Sequence, residues 1–301
     1  MSCCSNKFTA HINQTVMKKQ LYATLFMLGC FGITSQAHAV PVLNSVTLDD
    51  IAPTPGSSAT KLPDGVLQLT DNSLSDPAYQ IGSAYSTSPV GIETFNATFS
   101  FQYSGTYPFH GSADGIVFVI KNPGSPASGG DGGGLGYGAI ATGNGTYTGI
   151  PNSVGIEFDN WYNPEVGDPS GNHIGINVNG SMVSQGTVDI SPEFNGQGPW
   201  YAWVDYDGSL LSVSVSQTNL KPASAMLSYN IGNIQSVIDS PAAMVGFTGS
   251  TGWATQTQQV LSFDYYDPPL AVPEPGTLTL LGVGGVLVSL WTRRNRQVIS
   301  D

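Results

Sequence analysis

The chain has 301 residues, of which 40% are hydrophobic and only 10% charged, with 37 Gly and 20 Pro. That is enough for one large domain with a sizeable core, and so many turn-forming residues argue against a fold built of long helices. The formal net charge is −12, and residues 40–270 hold 19 of the 21 acids but only Lys61, Lys121 and Lys221 among the basic residues, which excludes a basic footprint for nucleic acid and suits divalent cations or neutral ligands.

The first 39 residues read as a signal peptide. Lys18 and Lys19 supply the charged region, Leu21–Ile33 the apolar one, and Ala37-His38-Ala39 an A-x-A cleavage site before Val40. The apolar run is too short for a first transmembrane helix. Met17 is an alternative start to Met1. All three cysteines (Cys3, Cys4, Cys30) precede the cleavage site, so the exported part must rely on its core or on metal rather than on disulfides.

Residues 40–270 read as one all-β sandwich or jelly roll. Thr94–Tyr103 alternates, placing Phe95, Ala97, Phe99, Phe101 and Tyr103 on one face. Ile116–Ile120 is continuously apolar, as expected of a strand covered on both sides. Val154–Phe158, Ile174–Val178 and Val260–Tyr265 are further strands. Trp200–Asp205 and Leu210–Ser216 flank Tyr206-Asp207-Gly208-Ser209, a hairpin signal. Ile234–Asp239 fits one helical turn, and Gly124–Gly138 is a Gly/Ser-rich loop between strands. Exposed β faces are compatible with a homodimer, but no residue pattern fixes an interface.

The stretch Gly155–Ile176, GIEFDNWYNPEVGDPSGNHIGI, carries the chemistry. Glu157 and Asp159 are two apart on a strand and share a face. Asn163 and Asp168 follow in a Pro/Gly-rich loop, then His173. Carboxylates gathered this closely repel one another, and a divalent cation reverses that penalty. Ligand type suggests two sites. His173 with Glu157, Asp159 and Asp168 suits a transition metal such as Mn2+, completed by water. Asp159, Asp168, Asn163 and a main-chain carbonyl form an all-oxygen set for Ca2+. Asp159 and Asp168 would bridge both.

The ungapped order Glu157, Asp159, Trp161, Asn163, Asp168, His173 resembles the metal loop of the legume-type (L-type) lectins, E-x-D-x-aromatic-x-N-x4-D-x4-H. The resemblance spans roughly 45–267 and implies a concanavalin-A-like jelly-roll sandwich that binds carbohydrate. It assigns the calcium's carbonyl to Trp161. Ala113-Asp114-Gly115, Gly132-Gly133-Gly134-Leu135-Gly136 and Thr251-Gly252-Trp253-Ala254 also look like family motifs. By the same resemblance Asp114 accepts bonds from two sugar hydroxyls and follows a cis Ala113–Asp114 peptide. Gly134 donates its main-chain N–H, and Asn163 donates its amide while its oxygen holds calcium. Trp161 offers its ring to the sugar's C–H face, and the Trp253–Ala254 loop gives main-chain N–H groups. That loop's length favours mannose/glucose-type sugars. Asp131 in a short 121–134 loop and Trp253 in place of a smaller residue depart from the pattern and leave the sugar open.

Val272-Pro-Glu-Pro-Gly276, the apolar run 277–291 and Arg293, Arg294 and Arg296 close the chain. As a helix the run rises about 22 Å, short of a roughly 30 Å hydrocarbon core, with a positive, cytoplasm-facing end. The 271–301 tail resembles a PEP-CTERM sorting signal with a transmembrane segment; a plain tail anchor is the simpler alternative. The resemblance implies a Gram-negative bacterium, exosortase-type sorting machinery, and anchoring in the inner membrane before display at the cell surface or in the matrix.

Two other functions compete with sugar binding. Laminarinase-type glycoside hydrolases share the architecture and use paired carboxylates, but their E-x-D-x-(x)-E strand needs a second Glu, and here Asn160, Trp161 and Tyr162 follow Asp159. A structural exopolysaccharide-matrix protein with a non-binding lectin fold is the other.

Overall fold

A computed structural model describes residues 44–72, 79–105, 111–140, 147–196 and 198–267. The expected signal peptide at 1–39, the expected tail at 271–301 and its expected transmembrane segment at 277–291 lie outside these residues. Among the described residues no helix is long and apolar enough to cross a membrane.

Two eight-stranded antiparallel sheets enclose one core. The first runs β14 (Leu227–Asn230), β13 (Leu210–Ser216), β12 (Trp200–Tyr206), β7 (Phe95–Ser104), β16 (Thr257–Asp267), β4 (Leu67–Thr70) and β3 (Thr60–Lys61), with β1 (Asn44–Thr47) also on β16. The second runs β11 (Gly186–Asp189), β10 (His173–Val178), β9 (Ser153–Asp159), β8 (Gly115–Lys121), β15 (Ala242–Ser250), β5 (Ile81–Ser86) and β2 (Ile51–Pro53), with β6 (Val90–Gly91) on β15. The five inward residues expected on β7, Phe95 to Tyr103, are all buried. Phe99 lies at the centre of the core, with ring centroids 5.6 Å from Phe118, 5.4 Å from Phe158 and 5.1 Å from Phe247. Each such aromatic stabilises the fold by about 1.5–3 kcal/mol through burial.

The strands β8 and β9 are buried along their whole length. Ile116, Phe118 and Ile120 face the first sheet. Val117 and Val119 point the other way, into a second apolar cluster with Tyr85, Leu135, Tyr137, Ile150 and Met182. The Gly-rich loop at 124–138 supplies part of this cover, so the apolar run has a partner on each side.

Strand ends extend beyond the apolar runs that mark them in the sequence. β16 begins at Thr257 rather than Val260, because Gln258 and Gln259 pair with Tyr103 and Gln102. The short strands β1–β6, β11 and β14 carry no clear period. β5, IGSAYS, packs small residues in close quarters, and a β-carbon on Gly82 would strike the Leu69 carbonyl. The expected turn is the helix α1 (Ile234–Ile238), whose N-cap Asn233 accepts from the Gln235 N–H.

Candidate functional site

Register builds the polar cluster. β9 and β10 are antiparallel, with His173 opposite Asp159 and Gly175 opposite Glu157. Glu157 and Asp159 therefore leave the same outer face of β9, and His173 leaves the same face of β10. The 160–172 loop folds back and adds Asp168. Asp159, Asp168 and His173 each offer a ligand atom, all within 4.8 Å of one another. The imidazole Nε2 lies 3.4 Å from Glu157 Oε1 and 3.7 Å from Asp168 Oδ1.

The rest of each side chain is committed elsewhere, which fixes the free atoms. His173 Nδ1 sits 3.0 Å from the Ser170 carbonyl. A carbonyl can only accept, so Nδ1 carries a proton. Nε2 is buried and lacks an aligned hydrogen bond. Glu157 accepts from Asn177 Nδ2 and from Ser184 Oγ, the latter at 2.7 Å. A β-carbon on Gly175 would overlap Glu157 Oε1, so a glycine is required there for the carboxylate to lie across β10. The Trp161 N–H donates to Asp159 Oδ1 at 2.6 Å, and the Asn163 N–H to Asp168 Oδ2 at 2.7 Å.

Electrostatics follow from burial. Desolvation, then the neighbouring Glu157 charge, push the Asp159 carboxyl well above the usual carboxylate range. Desolvation pushes Asp168 up to about 6 despite a backbone hydrogen bond and the nearby imidazole. Burial alone would lower His173, but Glu157, Asp168 and the Ser170 carbonyl outweigh it and the imidazole is raised. Without a cation, these groups hold protons they would lose in water.

A pocket of about 300 Å³ lies beside this cluster, lined by Ala113, Asp114, Trp161, Asn163, Gly252, Trp253 and Ala254. It gathers three chain segments at adjoining strand ends, preceding β8, following β9 and following β15. The Ala113–Asp114 peptide is cis. Asp114 is 4% exposed and its carboxyl is pushed up to about 8 by desolvation, against a backbone hydrogen bond from Gly252 and with Asp131 adding to the rise. Its Oδ2 and the Oδ1 of Asn163 are buried without a hydrogen-bond partner. Asp159 feels the charge of both Asp114 and Asp168, so pocket and cluster adjoin.

Of the residues singled out in the sequence, Glu157, Asp159, Asp168 and His173 meet in the cluster. Asp114, Trp161, Asn163, Trp253 and Ala254 line the pocket. Gly134 takes a different place: its N–H donates to the Asp131 carbonyl at 2.9 Å, and its α-carbon packs against the Ile140 carbonyl. Its neighbour Gly133 lies against Asn163 instead. Gly252 of the Thr251–Ala254 motif also lines the pocket, and the structure adds Asn177, Ser184 and the pair Asn160–Gln256, which exchange side-chain hydrogen bonds of 3.0 and 2.8 Å. Asn177 had a usable signal, since it continues the His173, Gly175 period on β10. Ser184 sits beyond β10 in a turn and had none.

The donor set fits divalent cations. Buried carboxylates and an imidazole nitrogen converge, the Asn163 amide oxygen belongs to the adjoining pocket, and neither that nitrogen nor that oxygen has an aligned hydrogen bond. Unsatisfied buried polar atoms are costly and uncommon.

Comparison with known proteins points one way. Residues 47–274 match the legume lectin domain, and residues 271–296 match the PEP-CTERM protein-sorting motif. L-type lectin-domain containing receptor kinase VIII.2 of Arabidopsis thaliana is 33% identical over 213 residues, or 66% of this chain. A putative L-type lectin-domain containing receptor kinase, I.10, of the same plant is 30% identical over 240 residues, or 69% of this chain. The chain spans only 28% and 35% of the lengths of these two relatives. Among solved structures, basic winged bean lectin with Tn-antigen superposes with a TM-score of 0.60 at 25% identity, covering 75% of this chain and 98% of that one. Lectin I-B4 from Griffonia simplicifolia in a metal-free form gives 0.59 at 26%, covering 75% and 100%. Peanut lectin with a 9mer peptide gives 0.62 at 23%, covering 77% and 100%, and speaks for the fold alone.

Proposed function

The chain belongs to the legume lectin domain family, and from that premise we propose that it is an exported, metal-dependent carbohydrate-binding protein. Ca2+ and a transition metal, Mn2+ by its ligand types, are its resident ions. Glu157, Asp159, Asp168 and His173 hold the transition metal, while Asp159, Asp168, Asn163 and the Trp161 carbonyl hold calcium. Bound there, the ions neutralise the buried carboxylates and fix the loop that carries Trp161 and Asn163.

The chain's own groups then read the sugar. Asp114 accepts from two neighbouring hydroxyls, the Asn163 amide and the Gly133 N–H donate, and the 252–254 backbone completes the polar ring. Trp161 covers the C–H face. The observation that carries this reading is a set of three buried atoms: Asp114 Oδ2 and Asn163 Oδ1, which have no hydrogen-bond partner, and His173 Nε2, which faces Glu157 and Asp168 without an aligned hydrogen bond. Two border the pocket and one faces the acidic cluster, so each has an external group to meet.

With domain limits of 40–270, a leader at 1–39 and a sorting tail at 271–301, the protein is displayed at the surface or in the matrix of a Gram-negative bacterium after exosortase-type processing. Many copies on one surface would retain a polysaccharide through weak individual contacts. The length of the 251–254 loop favours mannose/glucose-type sugars; the similar winged bean acidic lectin, complexed with methyl-α-D-galactose, sets galactose-type sugars as the alternative.

A glycan array probed with the chain in calcium and manganese, and again in chelator, tests this. Metal-dependent binding establishes a lectin and names its sugar. A folded, metal-loaded chain that binds nothing on the array is instead a structural matrix protein that keeps the fold.

A further inference from the structure

Three lysines lie among the described residues, and each is held differently. Lys61 donates to the Leu48 carbonyl, and Lys221 pairs with Asp205. Lys121 is 4% exposed, and among the described residues no carboxylate pairs with it. An ammonium taken out of water without a counter-ion is expensive. The position suits an apolar residue instead: Lys121 ends β8 on the face that carries Val117 and Val119 into the second apolar cluster.

The cation has three partners. Lys121 Nζ donates to the Ser125 carbonyl at 2.9 Å and to the Asn122 carbonyl at 3.4 Å, and it lies 4.8 Å from the centroid of the Tyr85 ring. Tyr85 belongs to β5, two strands from β8, and reaches across β15 where Gly246 stands opposite it. A β-carbon on Gly246 would lie 2.9 Å from Tyr85 Cδ1. The Tyr85 hydroxyl is buried without a hydrogen-bond partner, so the ring face is what the cation uses.

These contacts fasten the base of the Gly-rich loop. Ser125 also donates its N–H to Asn122 O at 3.0 Å and its Oγ to Pro151 O at 2.6 Å. Beyond it the two limbs of the loop are laddered, Gly129 N–H to Gly136 O at 2.6 Å and Gly130 N–H to Gly138 O at 2.7 Å. There is no slack between them: β-carbons on Gly129 and Gly130 would strike the backbone of Tyr137 and Ile140. Close-packed backbone transmits a displacement rather than absorbing it. The tip of the same loop donates the Gly132 N–H to Thr251 O at 3.2 Å and sets Gly133 against Asn163.

We propose that Lys121 is a positioning residue for glycan binding: its ammonium, seated on the Tyr85 ring and on the Asn122 and Ser125 carbonyls, sets the base of the Gly-rich loop and with it the approach of Gly133 to Asn163. This rests on the carbohydrate reading of the Asp114 pocket and adds a residue that lies outside that pocket. An aliphatic side chain at 121 fills the same space beside Val117 and Val119 but has no directional hold on two carbonyls. Buried charges are often replaceable by apolar groups without loss of stability, while the geometry they enforce is lost with them. The cation therefore favours one loop register at a cost in stability.

The test uses the full-length chain with calcium and manganese. Three quantities are read: affinity for the sugar that scores highest on a glycan array, by calorimetry; melting temperature; and hydrogen exchange of the amides in 125–138. Lys121→Met keeps the length and apolar stem. It is expected to weaken the sugar about fivefold or more, to melt no lower than the parent, and to speed exchange in the loop. Lys121→Arg keeps a cation for the ring and the carbonyls and should retain most of the affinity. Tyr85→Phe, which removes only an unpartnered hydroxyl, should match the parent, whereas Tyr85→Leu should share the loss. Unchanged affinity in both Lys121→Met and Tyr85→Leu would overturn the proposal. So would a Lys121→Met chain that fails to fold or melts well below the parent, since the lysine would then serve the fold itself. Either result leaves the carbohydrate reading standing. No binding of any glycan by the folded, metal-loaded parent would remove that reading, and the positioning role with it.

Discussion

A β-carbon placed on Gly133 would lie 2.8 Å from Oδ1 and 2.9 Å from Nδ2 of Asn163. The two residues come from the Gly-rich loop and the loop after β9, and their contact packs the Gly-rich loop against the Asn163 wall of the pocket. Gly133→Ala must displace the Asn163 amide. We expect sugar affinity to fall about tenfold or more with little change in melting temperature, read by calorimetry and thermal scanning. Gly134→Ala meets backbone at the Ile140 carbonyl instead and should destabilise the fold by about 1–3 kcal/mol. If the two variants behave alike, the distinction drawn between these glycines is wrong.

The metal-free protein should become less stable as pH rises. Asp168 is raised to about 6 and Asp114 to about 8 from 3.8, with Asp159 raised too. Folded carboxyls with raised values bind protons more tightly than unfolded ones. Their contribution is full below about pH 4 and is lost as pH climbs through about 6 and then about 8. His173, also raised, acts in the same direction. Metal binding requires the deprotonated ligands, so calcium and manganese should flatten the slope and raise the melting temperature most at high pH. Parallel pH profiles with and without chelator would refute a metal centre at these residues.

Asp114→Asn separates binding from stability. The amide keeps the shape but cannot carry the charge that burial disfavours. In chelator the variant should match the parent near pH 5 and exceed it in melting temperature above pH 8, while sugar binding is lost at every pH. Melting curves at the two pH values, beside calorimetry with metals present, decide it.

Tyr103 ties the first sheet to the strands that bear the site. Its hydroxyl donates to the Phe158 carbonyl at 2.6 Å and accepts from the Ile116 N–H at 3.0 Å. Tyr103→Phe leaves a buried N–H unsatisfied and should lower stability by about 1–3 kcal/mol, measured by denaturant unfolding.

Glu157 is 1% exposed, bonded to Asn177 and Ser184, and absent from the pocket wall. No polysaccharide should yield new reducing ends on incubation with the chain. Hydrolysis that disappears in Glu157→Gln would reassign the protein to the hydrolases.

Much of this architecture is legible in the amino-acid sequence. Alternation locates β7, the Asp207-Gly208 hairpin signal locates β12 and β13, a continuous apolar run locates β8, and the two-residue spacing of Glu157 and Asp159 puts both acids on one face. Edge strands escaped because two to four residues carry no period. The choice between Gly133 and Gly134 depends on how a short 3-10 turn aims successive N–H groups, which three identical residues cannot reveal. Ser184 reaches Glu157 only through the fold-back after β10, and long-range contacts of that kind leave no local trace.

Asn160 and Gln256 exchange side-chain hydrogen bonds that link the end of β9, beside the proposed ion ligands, to the loop that carries Trp253, and neither amide titrates. Acid that protonates the carboxylates should therefore leave this strut in place. On the metal-dependent reading proposed above, a chain stripped of cations at low pH is expected to regain glycan binding when pH and cations are restored, without a refolding step.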